Sequence, residues 1–344
     1  MQALVKSHNR LGVSIQNKPI PKVGSNDVLV KVKYAAICGT DVSIYKWTEW
    51  AQKEIPLGTT LGHEFVGNII EKGTDITGIE IGDLVTAECH GYCQKCSICL
   101  KGYKHLCVKS RNIGIHVDGA FAQYVLIPQQ NIVKLNETSD IDHRILALLD
   151  PLGNAVHCIQ SFSIKNASIL IIGAGPIGLM LTSILKHSGN NTIVMIDYNI
   201  YRLQIAKDLG ADLVINLNQV SEKKDEWLDY ILQEKEFDFG FEVSGSSEGL
   251  QNLVKYISPN GQIILFGIFS TLTSLDINNL IFKGVNLKGI YGRNKESWVK
   301  SFSLLQNKLN IESIITHEYK LKDFQQGFEK IMSGKAGKVI LSID

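Results

Sequence analysis

Two patterns of hydrophobic residues divide this chain near residue 150. Before that point, short segments rich in β-branched residues, such as 28–34 and 65–71, alternate between apolar and polar positions. Alternation indicates strands with one buried face, and Gly, Pro and Asn-Asp separate the segments. This part of the sequence therefore predicts a small β-rich barrel or sandwich.

After residue 150 the hydrophobic runs become continuous, as expected for strands that are buried on both faces. Segments 168–172 and 192–196 have this pattern, and helical periodicity follows them over 176–188 and 201–209. Further strands are predicted at 212–215, 237–243, 262–266 and 287–290. Strands that alternate with helices predict an α/β domain with a doubly wound parallel sheet.

A glycine-rich turn connects the first continuous run to its helix. Residues 173–178 read G-x-G-x-x-G, and Pro176 and Ile177 precede the last glycine. Gly173 permits the tight turn, Gly175 lets the backbone approach a pyrophosphate, and Gly178 allows close packing of helix on strand. The turn predicts a Rossmann site for a dinucleotide whose pyrophosphate lies at the helix N-terminus.

An acidic residue at the end of the next strand predicts which dinucleotide binds. Asp197 follows Gly178 by nineteen residues, where its carboxylate accepts hydrogen bonds from an adenosine ribose and repels a 2′-phosphate. Arg202 has two interpretations: it binds a 2′-phosphate, or it packs over the adenine or pairs along its own helix. We favour the second interpretation and expect NAD as the cofactor.

Composition excludes several other classes of protein. The 344 residues are 44% hydrophobic and 20% charged, with a formal net charge of +1, so electrostatics gives no case for nucleic-acid binding. No apolar run approaches the roughly 18 residues needed to span a bilayer. The sequence begins with a polar segment and not an apolar signal segment. We expect a cytoplasmic protein of two domains that binds neither nucleic acid nor membrane.

Four of the seven cysteines have the spacing C-x2-C-x2-C-x7-C. Cys93, Cys96, Cys99 and Cys107 can therefore surround one tetrahedral ion with thiolates and leave no position for a substrate. A disulfide framework is the alternative, but it requires an oxidising compartment. The spacing predicts a structural zinc site.

A second set of metal donors precedes the quartet. Cys38 and the pair His63-Glu64 offer a thiolate, an imidazole and a carboxylate, and Asp150 is an alternative carboxylate. A catalytic zinc ion has three protein ligands and one position for water or substrate. Taken singly, Cys38 reads as a small buried side chain, His63 as a core histidine, and Asp150 as a helix N-cap before Pro151. Beside the quartet and the dinucleotide turn, they predict an open, catalytic zinc site.

Together these motifs resemble the zinc-dependent medium-chain alcohol dehydrogenase family, over essentially the whole chain. Within the family the likeness is greatest to members that oxidise L-threonine. The segments that carry it are 38–50, 150–157, 289–293, 315–317 and 333–342. Polyol and butanediol dehydrogenases share the zinc and NAD motifs, but they usually lack the pair Trp47 and Trp50 and the segment 290–293.

The resemblance implies a GroES-like catalytic domain over residues 1–150, completed by 293–344, and a Rossmann NAD-binding domain over 151–292. It also implies two zinc ions per chain and a homotetramer. The implied reaction transfers hydride from the 3-hydroxyl carbon of L-threonine to NAD and gives L-2-amino-3-oxobutanoate. A polyol or 2,3-butanediol is the alternative substrate, and a protein that holds NAD and zinc with little turnover is a third hypothesis.

Three residues near the open zinc site have roles implied by the resemblance. Thr40 accepts or passes the hydroxyl proton, and His90 lies near the active site, with a plain surface-loop role as the alternative. Members that oxidise threonine usually carry a histidine at the position of Ser43. A serine relays a proton through its hydroxyl but does not store one near pH 7. We therefore expect a slower or alkaline-shifted enzyme, or a different substrate.

Other candidate binding residues lie where predicted strands end. Segments 242–245 and 266–268 fall at the carboxyl edge of the sheet, where main-chain contact with the nicotinamide is expected. The expected contacts with the cofactor are Phe266, Gly267, Ile268, Ile290 and Tyr291. Arg293 has two interpretations, as the partner of a substrate carboxylate or as a contact to the cofactor or a neighbouring subunit.

Overall fold

The protein is described by a computed structural model that covers residues 1–136, 140–219, 228–229, 231–232 and 235–343. Its chain divides into two units. The first contains Met1–Gly153, Arg293–Lys308 and Ile315–Asp344, and the second contains Asn154–Gly292 and Leu309–Ile314. The chain therefore leaves the first unit after Gly153 and returns to it at Arg293.

Strands and helices are numbered in chain order within the described residues. The strands are β1 (Gln2–Lys6), β2 (Ser14–Asn17), β3 (Asp27–Ala36), β4 (Thr59–Thr60), β5 (Glu64–Lys72), β6 (Leu84–Ala87), β7 (Tyr124–Pro128), β8 (Ile132–Lys134), β9 (Ser168–Ile172), β10 (Thr192–Asp197), β11 (Leu213–Asn216), β12 (Phe237–Glu242), β13 (Ile257–Leu265), β14 (Asn286–Gly289), β15 (Ile315–Lys320) and β16 (Lys338–Ser342). The helices are α1 (Gly39–Lys46), α2 (Glu49–Glu54), α3 (Ser97–Leu100), α4 (His143–Leu146), α5 (Leu149–Ile159), α6 (Pro176–His187), α7 (Ile200–Asp208), α8 (Ser247–Tyr256), α9 (Ile277–Lys283), α10 (Lys295–Gln306) and α11 (Phe324–Met332).

The main sheet of the first unit is built around β3. Among the described strands its order is β15-β16-β3-β5-β6-β8, and β7 also pairs with β3. Val28, Val30 and Val32 alternate along β3 and are at most 1% exposed, so they form part of the core, as the alternating pattern predicted. At the end of β3, Ala36 pairs with Glu64 of β5 and with Ile340 of β16. This register brings three segments that are distant in sequence to one edge of the sheet.

The second unit contains a parallel sheet, as the continuous apolar runs predicted. Its described strands have the order β11-β10-β9-β12-β13-β14, and each neighbouring pair is parallel. Ile169, Leu170 and Ile171 of the central strand β9 are 0% exposed, because both faces of the sheet are covered. The carboxyl ends of β9, β10, β12 and β13 share one edge, which is where ligands bind in sheets of this kind.

One strand of this sheet is longer than the sequence predicted. The pattern predicts a strand at 262–266, whereas β13 begins at Ile257 and continues through a register shift opposite Phe237 and Phe239. The early part, Ser-Pro-Asn-Gly at 258–261, contains residues that are depleted in strands, so propensity alone does not find it.

None of the described helices combines the length and the hydrophobicity required to cross a membrane.

Candidate metal centres and dinucleotide site

The turn between β3 and α1 positions the first donor of the open site. Cys38 precedes α1, and its backbone N–H donates a hydrogen bond of 2.9 Å to Asp41 Oδ2, which caps the helix. Thr40 lies in the first turn of α1, and its Oγ1 is 3.7 Å from Cys38 Sγ. The start of this helix therefore holds a thiol and a hydroxyl side by side.

The sheet register brings two further donors to Cys38. His63 and Glu64 lie at the start of β5, and Glu64 pairs with Ala36, two residues before Cys38. The ligand atoms of Cys38, His63 and Glu64 all lie within 4.8 Å of one another. His63 and Glu64 are 5% and 1% exposed, so both donors are largely removed from solvent.

The carboxylate of Asp41 lies next to the His63 ring, and this arrangement fits a zinc ion bound by His63. His63 Nδ1 lies 3.9 Å from Asp41 Oδ1, and within the described residues neither buried atom has a hydrogen-bond partner. A histidine that ligates a metal through one ring nitrogen commonly donates its other N–H to a carboxylate. Burial lowers the pKa of His63, but the charges of Asp41 and Cys38 outweigh it and raise this pKa. Thiolate, imidazole and carboxylate are ligands that zinc accepts.

Replacing Asp41 with asparagine is expected to lower the affinity of this site for zinc by about 10- to 100-fold, because the amide does not stabilise the ligating imidazole as a carboxylate does. Competition with a chromogenic chelator measures the change. The four-cysteine site serves as an internal control, since its affinity is expected to stay constant. If the variant binds zinc at the open site as tightly as the parent does, the role of Asp41 is contradicted.

Glu64 has a second partner in the first unit. Its Oε2 accepts a hydrogen bond from the ammonium of Lys338, and Lys338 Nζ also donates to the carbonyl of Ile37 at 3.2 Å. Lys338 is 2% exposed. Burial lowers the pKa of Lys338, but Glu64 and Cys38 outweigh it and raise this pKa. The carboxylate of Glu64 is thus held between a buried cation and the other two donors.

Asp150 lies in a different ionic group. The helix α5 begins at Leu149, so Asp150 lies in its first turn. Asp150 is therefore not the N-cap residue, which was the alternative interpretation of its position before Pro151. Its Oδ2 forms a buried ion pair with Arg293. Arg293 Nη2 also lies 3.0 Å from Glu88 Oε1 and 3.3 Å from Cys89 Sγ. Within the described residues the ligand atom of Glu64 lies within 4.8 Å of those of Cys38 and His63, and each candidate carboxylate, Glu64 or Asp150, is paired with a buried cation.

Arg293 is a buried residue of this ionic group. It is 2% exposed, and its guanidinium lies 5.0 Å from the centroid of the Trp298 ring. A Cβ atom at Gly153 would lie 2.7 Å from Arg293 Cδ, so the small residue on α5 makes room for the side chain. Asp150 and Glu88 thus place two carboxylates against the guanidinium.

His90 is buried and does not lie in a surface loop. It is 7% exposed, and its Nδ1 is 2.6 Å from Glu88 Oε1. Burial raises the pKa of Glu88, but Arg293 and His90 outweigh it and lower this pKa to about 2. Glu88 Oε2 accepts a hydrogen bond of 2.9 Å from the indole N–H of Trp298. His90 is therefore linked to Asp150 through Glu88 and Arg293.

Glu88, Cys89 and His90 also form a cluster of possible metal donors. The Arg293 guanidinium contacts two of them, Glu88 and Cys89, and already supplies a positive charge there. Burial raises the pKa of Cys89 to about 12. We therefore do not assign a metal to this cluster.

Ser43 lies one turn after Thr40 on α1. Residues three apart share a face of a helix, so both hydroxyls lie on the same side of α1. The Ser43 hydroxyl donates to the carbonyl of Gly39 at 3.2 Å. Its hydrogen is therefore engaged within the helix.

The four cysteines of the quartet converge as their spacing predicts. The sulfur atoms of Cys93, Cys96, Cys99 and Cys107 lie within 4.8 Å of one another, and all are free thiols. Backbone N–H groups surround them: Cys96 N–H donates to Cys93 Sγ at 3.4 Å and Cys99 N–H to Cys96 Sγ at 3.5 Å. Such bonds from the backbone lower the pKa of Cys93 to about 6, which favours a thiolate. The cluster fits a tetrahedral zinc ion.

In the second unit, the glycine turn has the conformation that a dinucleotide requires. Gly173 has a φ of +111°, and Gly175 caps the N-terminus of α6. A Cβ atom at Gly178 would lie 2.0 Å from the carbonyl oxygen of Gly173, so only glycine allows the helix to pack this closely on the turn. The space around the Cα of Gly175 is open. Pro176 and Ile177 form the first turn of α6.

Asp197 is adjacent to this turn. Its Oδ2 accepts a hydrogen bond of 2.6 Å from the N–H of Ala174, and its Oδ1 accepts one of 2.7 Å from Asn199. The carboxylate therefore lies beside the backbone that a pyrophosphate would approach. Burial lowers the pKa of Arg202, and Asp197 opposes this shift.

The remaining predicted contacts to the cofactor lie on segments that follow β13 and β14. Phe266 and Gly267 follow β13, and both N–H groups donate to the carbonyl of Glu242. Ile268 is 82% exposed, and Tyr291 is 49% exposed. Ile290 N–H donates to the carbonyl of Leu265 at 2.8 Å. These residues lie at the same edge as the glycine turn.

A cavity of about 510 Å³ in the first unit lies away from the open metal site. Its lining includes Tyr92, Cys93 and Lys109, which lie in or near the segment of the four cysteines, and Tyr124 of β7. The Cys38 donor set does not line it. The cavity is therefore separate from the metal ligands Cys38, His63 and Glu64 that form the candidate active site.

Two family models match this chain. Residues 24–137 match the alcohol dehydrogenase GroES-like domain, and residues 176–307 match the zinc-binding dehydrogenase domain. The chain belongs to the zinc-dependent medium-chain alcohol dehydrogenase family.

Two relatives that match the chain over its full length are both named L-threonine 3-dehydrogenase. The chain is 41% identical to the L-threonine 3-dehydrogenase of Pseudoalteromonas translucida over 100% of both chains. It is 40% identical to the L-threonine 3-dehydrogenase of Legionella pneumophila, over 99% of this chain and 100% of that one. Among solved structures, galactitol-1-phosphate dehydrogenase from Escherichia coli has a TM-score of 0.89 and 26% identity, over 99% of this chain and 100% of that one.

Proposed function

We propose that this protein oxidises L-threonine at C3 with NAD. The C3–H bond breaks and its hydride passes to the nicotinamide, while the 3-hydroxyl loses its proton, so the products are L-2-amino-3-oxobutanoate, NADH and a proton. The observation that carries the proposal is the group Cys38, His63 and Glu64, of which His63 and Glu64 are buried, in a chain about 40% identical to L-threonine 3-dehydrogenases over its full length.

Each residue of the open site then has a role. Cys38, His63 and Glu64 hold a zinc ion, which when bound polarises the hydroxyl oxygen of the substrate and lowers its pKa. Asp41 orients the His63 ring. Thr40, with its hydroxyl 3.7 Å from Cys38 Sγ, relays the proton: its oxygen receives the proton of the substrate hydroxyl while its own O–H proton passes on towards solvent.

Asp150 and His90 are positioning residues in this proposal. Arg293 and Glu88 hold Asp150 and His90 in one hydrogen-bonded group, which keeps a second carboxylate close to the metal ligands without placing it among them. Arg293 is already paired with Asp150 and Glu88, so it is not assigned to the carboxylate of the substrate.

NAD is the proposed cofactor because Asp197 lies beside the glycine turn. A carboxylate there accepts hydrogen bonds from ribose hydroxyls and repels the 2′-phosphate of NADP. Gly173, Gly175 and Gly178 admit the pyrophosphate, and Phe266, Gly267, Ile268, Ile290 and Tyr291 provide contacts for the rest of the dinucleotide.

We assign the two units to the two halves of the reaction. The GroES-like catalytic domain is proposed to comprise 1–150 with 293–344 and to carry both zinc ions, although residues 309–314 belong to the second unit. The Rossmann domain, 151–292, binds NAD. A cytoplasmic location is proposed because the two zinc sites need reduced cysteines, which reducing compartments maintain.

A homotetramer is proposed for the assembly. The edge strand β14 is exposed along its whole length, and Ile281 and Phe282 of the preceding helix are 65% and 86% exposed. An exposed strand edge beside apolar side chains favours pairing with a second copy. Light scattering after size exclusion is expected to give four times the 38.1 kDa chain mass, and a monomer would contradict the proposal.

Replacing Ser43 with histidine is expected to raise the turnover rate near pH 7 by about tenfold, because an imidazole with a pKa near 6.5 stores the proton that Thr40 passes on. The rate is measured from pH 6 to pH 10. Ser43→Ala is the matched control: it lowers the rate if the serine hydroxyl relays the proton. A pH profile that is the same in all three proteins would show that position 43 has no part in the relay.

Steady-state formation of NADH by zinc-loaded protein tests the substrate. L-Threonine is compared with sorbitol and 2,3-butanediol, and NAD with NADP. Saturable activity with L-threonine and NAD is the expected result. Activity with a polyol or diol alone would assign the same chemistry to the alternative substrate, and zinc and NAD binding without turnover would favour a binding protein.

A further inference from the structure

Glu242 is a buried carboxylate that the open metal site and the glycine turn do not use directly. It is the last residue of β12 and is 0% exposed. Its position at the carboxyl edge of the sheet places it next to the segments that follow β9, β12 and β13.

Several hydrogen-bond donors of one loop converge on this carboxylate. Oε1 accepts from the N–H groups of Ser244 at 2.9 Å, Gly245 at 3.0 Å and Ser246 at 3.4 Å, and from the Ser244 hydroxyl. Oε2 accepts from the Gly245 N–H at 3.1 Å. Hydrogen bonds to a charged acceptor are stronger than neutral ones. The side chain therefore fixes the conformation of the loop 243–246.

The same residue also holds the loop after β13. Its backbone carbonyl accepts from the N–H groups of Phe266 at 2.9 Å and Gly267 at 3.0 Å. A Cβ atom at Gly267 would lie 2.3 Å from Glu242 Oε2 and 2.2 Å from Gly245 N, so the two loops touch at this point. Displacement of the carboxylate would therefore disturb the loop 243–246 directly, and the segment 266–268 through the close packing of Gly267 against Gly245.

The loop 243–246 forms one wall of the glycine turn. Val243 N–H donates to the carbonyl of Ile172 at 3.0 Å, directly before the turn begins. A Cβ atom at Gly173 would lie 3.0 Å from both the nitrogen and the Cβ of Ser244. The position of Ser244 thus limits the space in which a pyrophosphate can approach Gly173 and Gly175.

We propose that Glu242 is a positioning residue for the dinucleotide: its carboxylate holds the loop 243–246, and through that loop the adjoining segment 266–268, in the conformation that leaves the glycine turn open. The inference rests on the NAD-binding part of the proposed function and is independent of the alcohol that is oxidised.

A positioning role and a direct charge effect of Glu242 predict opposite changes in the affinity for the dinucleotide when the charge is removed. Glu242 is anionic when ionised, and the ligand is a diphosphate, so a direct electrostatic effect predicts that removing the charge strengthens binding. A positioning role predicts that Glu242→Gln weakens binding, because one acceptor oxygen becomes an NH2 donor that faces N–H groups. Glu242→Asp keeps the charge but withdraws it by one methylene, and the positioning role predicts weaker binding here too.

The experiment is a fluorescence titration of NADH into the full-length, zinc-loaded protein and its variants. Glu242→Gln and Glu242→Asp are each expected to raise the Kd for NADH by about tenfold, as expected from loss of hydrogen bonds to a charged group. Glu236→Gln, the same exchange at an exposed residue just before β12, is the matched control and is expected to leave the Kd within about twofold. In steady-state assays the KM for NAD is expected to rise, while kcat at saturating NAD stays within about threefold.

An unchanged Kd in both variants would overturn the proposal, and a lower melting temperature with that unchanged Kd would show a purely structural role. Tighter binding by Glu242→Gln would overturn it in favour of a charge effect. If Glu242→Gln does not fold, the Kd of Glu242→Asp decides. Parent protein that binds NADH but does not oxidise L-threonine would contradict the proposed substrate and leave the role of Glu242 standing. Parent protein that binds no NADH would overturn both.

Discussion

Replacing His63 with alanine is expected to lower turnover by about a thousandfold and to reduce the zinc content from two ions to one per chain. Polarisation of a reacting oxygen by a metal stabilises the transition state by several kcal/mol, and about 1.4 kcal/mol corresponds to a tenfold change in rate. His63 is the one imidazole in the donor set, and Cys38 and Glu64 alone do not provide three ligands.

The change is measured by turnover and by metal analysis of the dialysed protein. His187→Ala is the control, because His187 is exposed at the end of α6 and belongs to neither metal site. The melting temperature of His63→Ala is expected to fall by less than that of Cys99→Ser, since the four-cysteine site is intact. Two bound zinc ions, or undiminished turnover, in the His63 variant would contradict the assignment of the open site.

Replacing Cys99 with serine is expected to have the largest effect on stability. The binding free energy of a structural zinc ion is folding free energy, and its loss is expected to lower the melting temperature by about 10 °C or more. Cys99 is 5% exposed and belongs to the quartet. The zinc content is expected to fall to one ion per chain, and that remaining ion is the one held by Cys38, His63 and Glu64.

Cys158→Ser is the matched control for this experiment. Cys158 is 0% exposed on α5 and lies outside both donor sets, so the variant replaces a buried thiol without touching a zinc ligand. It is expected to retain two zinc ions. A Cys99 variant that also retains two ions, with a melting temperature equal to that of the Cys158 variant, would contradict the structural zinc site.

Features that depend on local sequence were predictable. The strand β9 and the helix α6 that follows it have the bounds expected from hydrophobic periodicity and from the glycine turn between them. The convergence of the four cysteines also follows from their spacing, because all four lie within one short segment.

The ionic partners of the open site were not predictable from local sequence. Lys338 and Glu64 are 274 positions apart, and Arg293 and Asp150 are 143 positions apart. The first pair depends on the register of β16 and β5 on either side of β3, which no periodic pattern specifies. The choice between Glu64 and Asp150 as a metal donor is open in the sequence for the same reason.

Asp41 and Glu242 carried only weak signals. Asp41 follows Cys38 by three residues, a spacing that is typical of helix capping. Its proximity to the His63 ring depends on how β5 packs next to β3, which the local sequence does not specify. Glu242 reads as the polar end of a buried strand, and the convergence of N–H groups on its carboxylate depends on the path of the following loop.

Transfer of deuterium from L-threonine labelled at C3 to NAD tests the central claim most directly. The zinc-loaded protein is incubated with [3-²H]-L-threonine and NAD, and the reduced cofactor is analysed by mass spectrometry. The account predicts that each molecule of reduced cofactor carries one deuterium and that L-2-amino-3-oxobutanoate forms in equal amount. Reduced cofactor without deuterium, or no reduction of NAD by protein that holds two zinc ions, would contradict it.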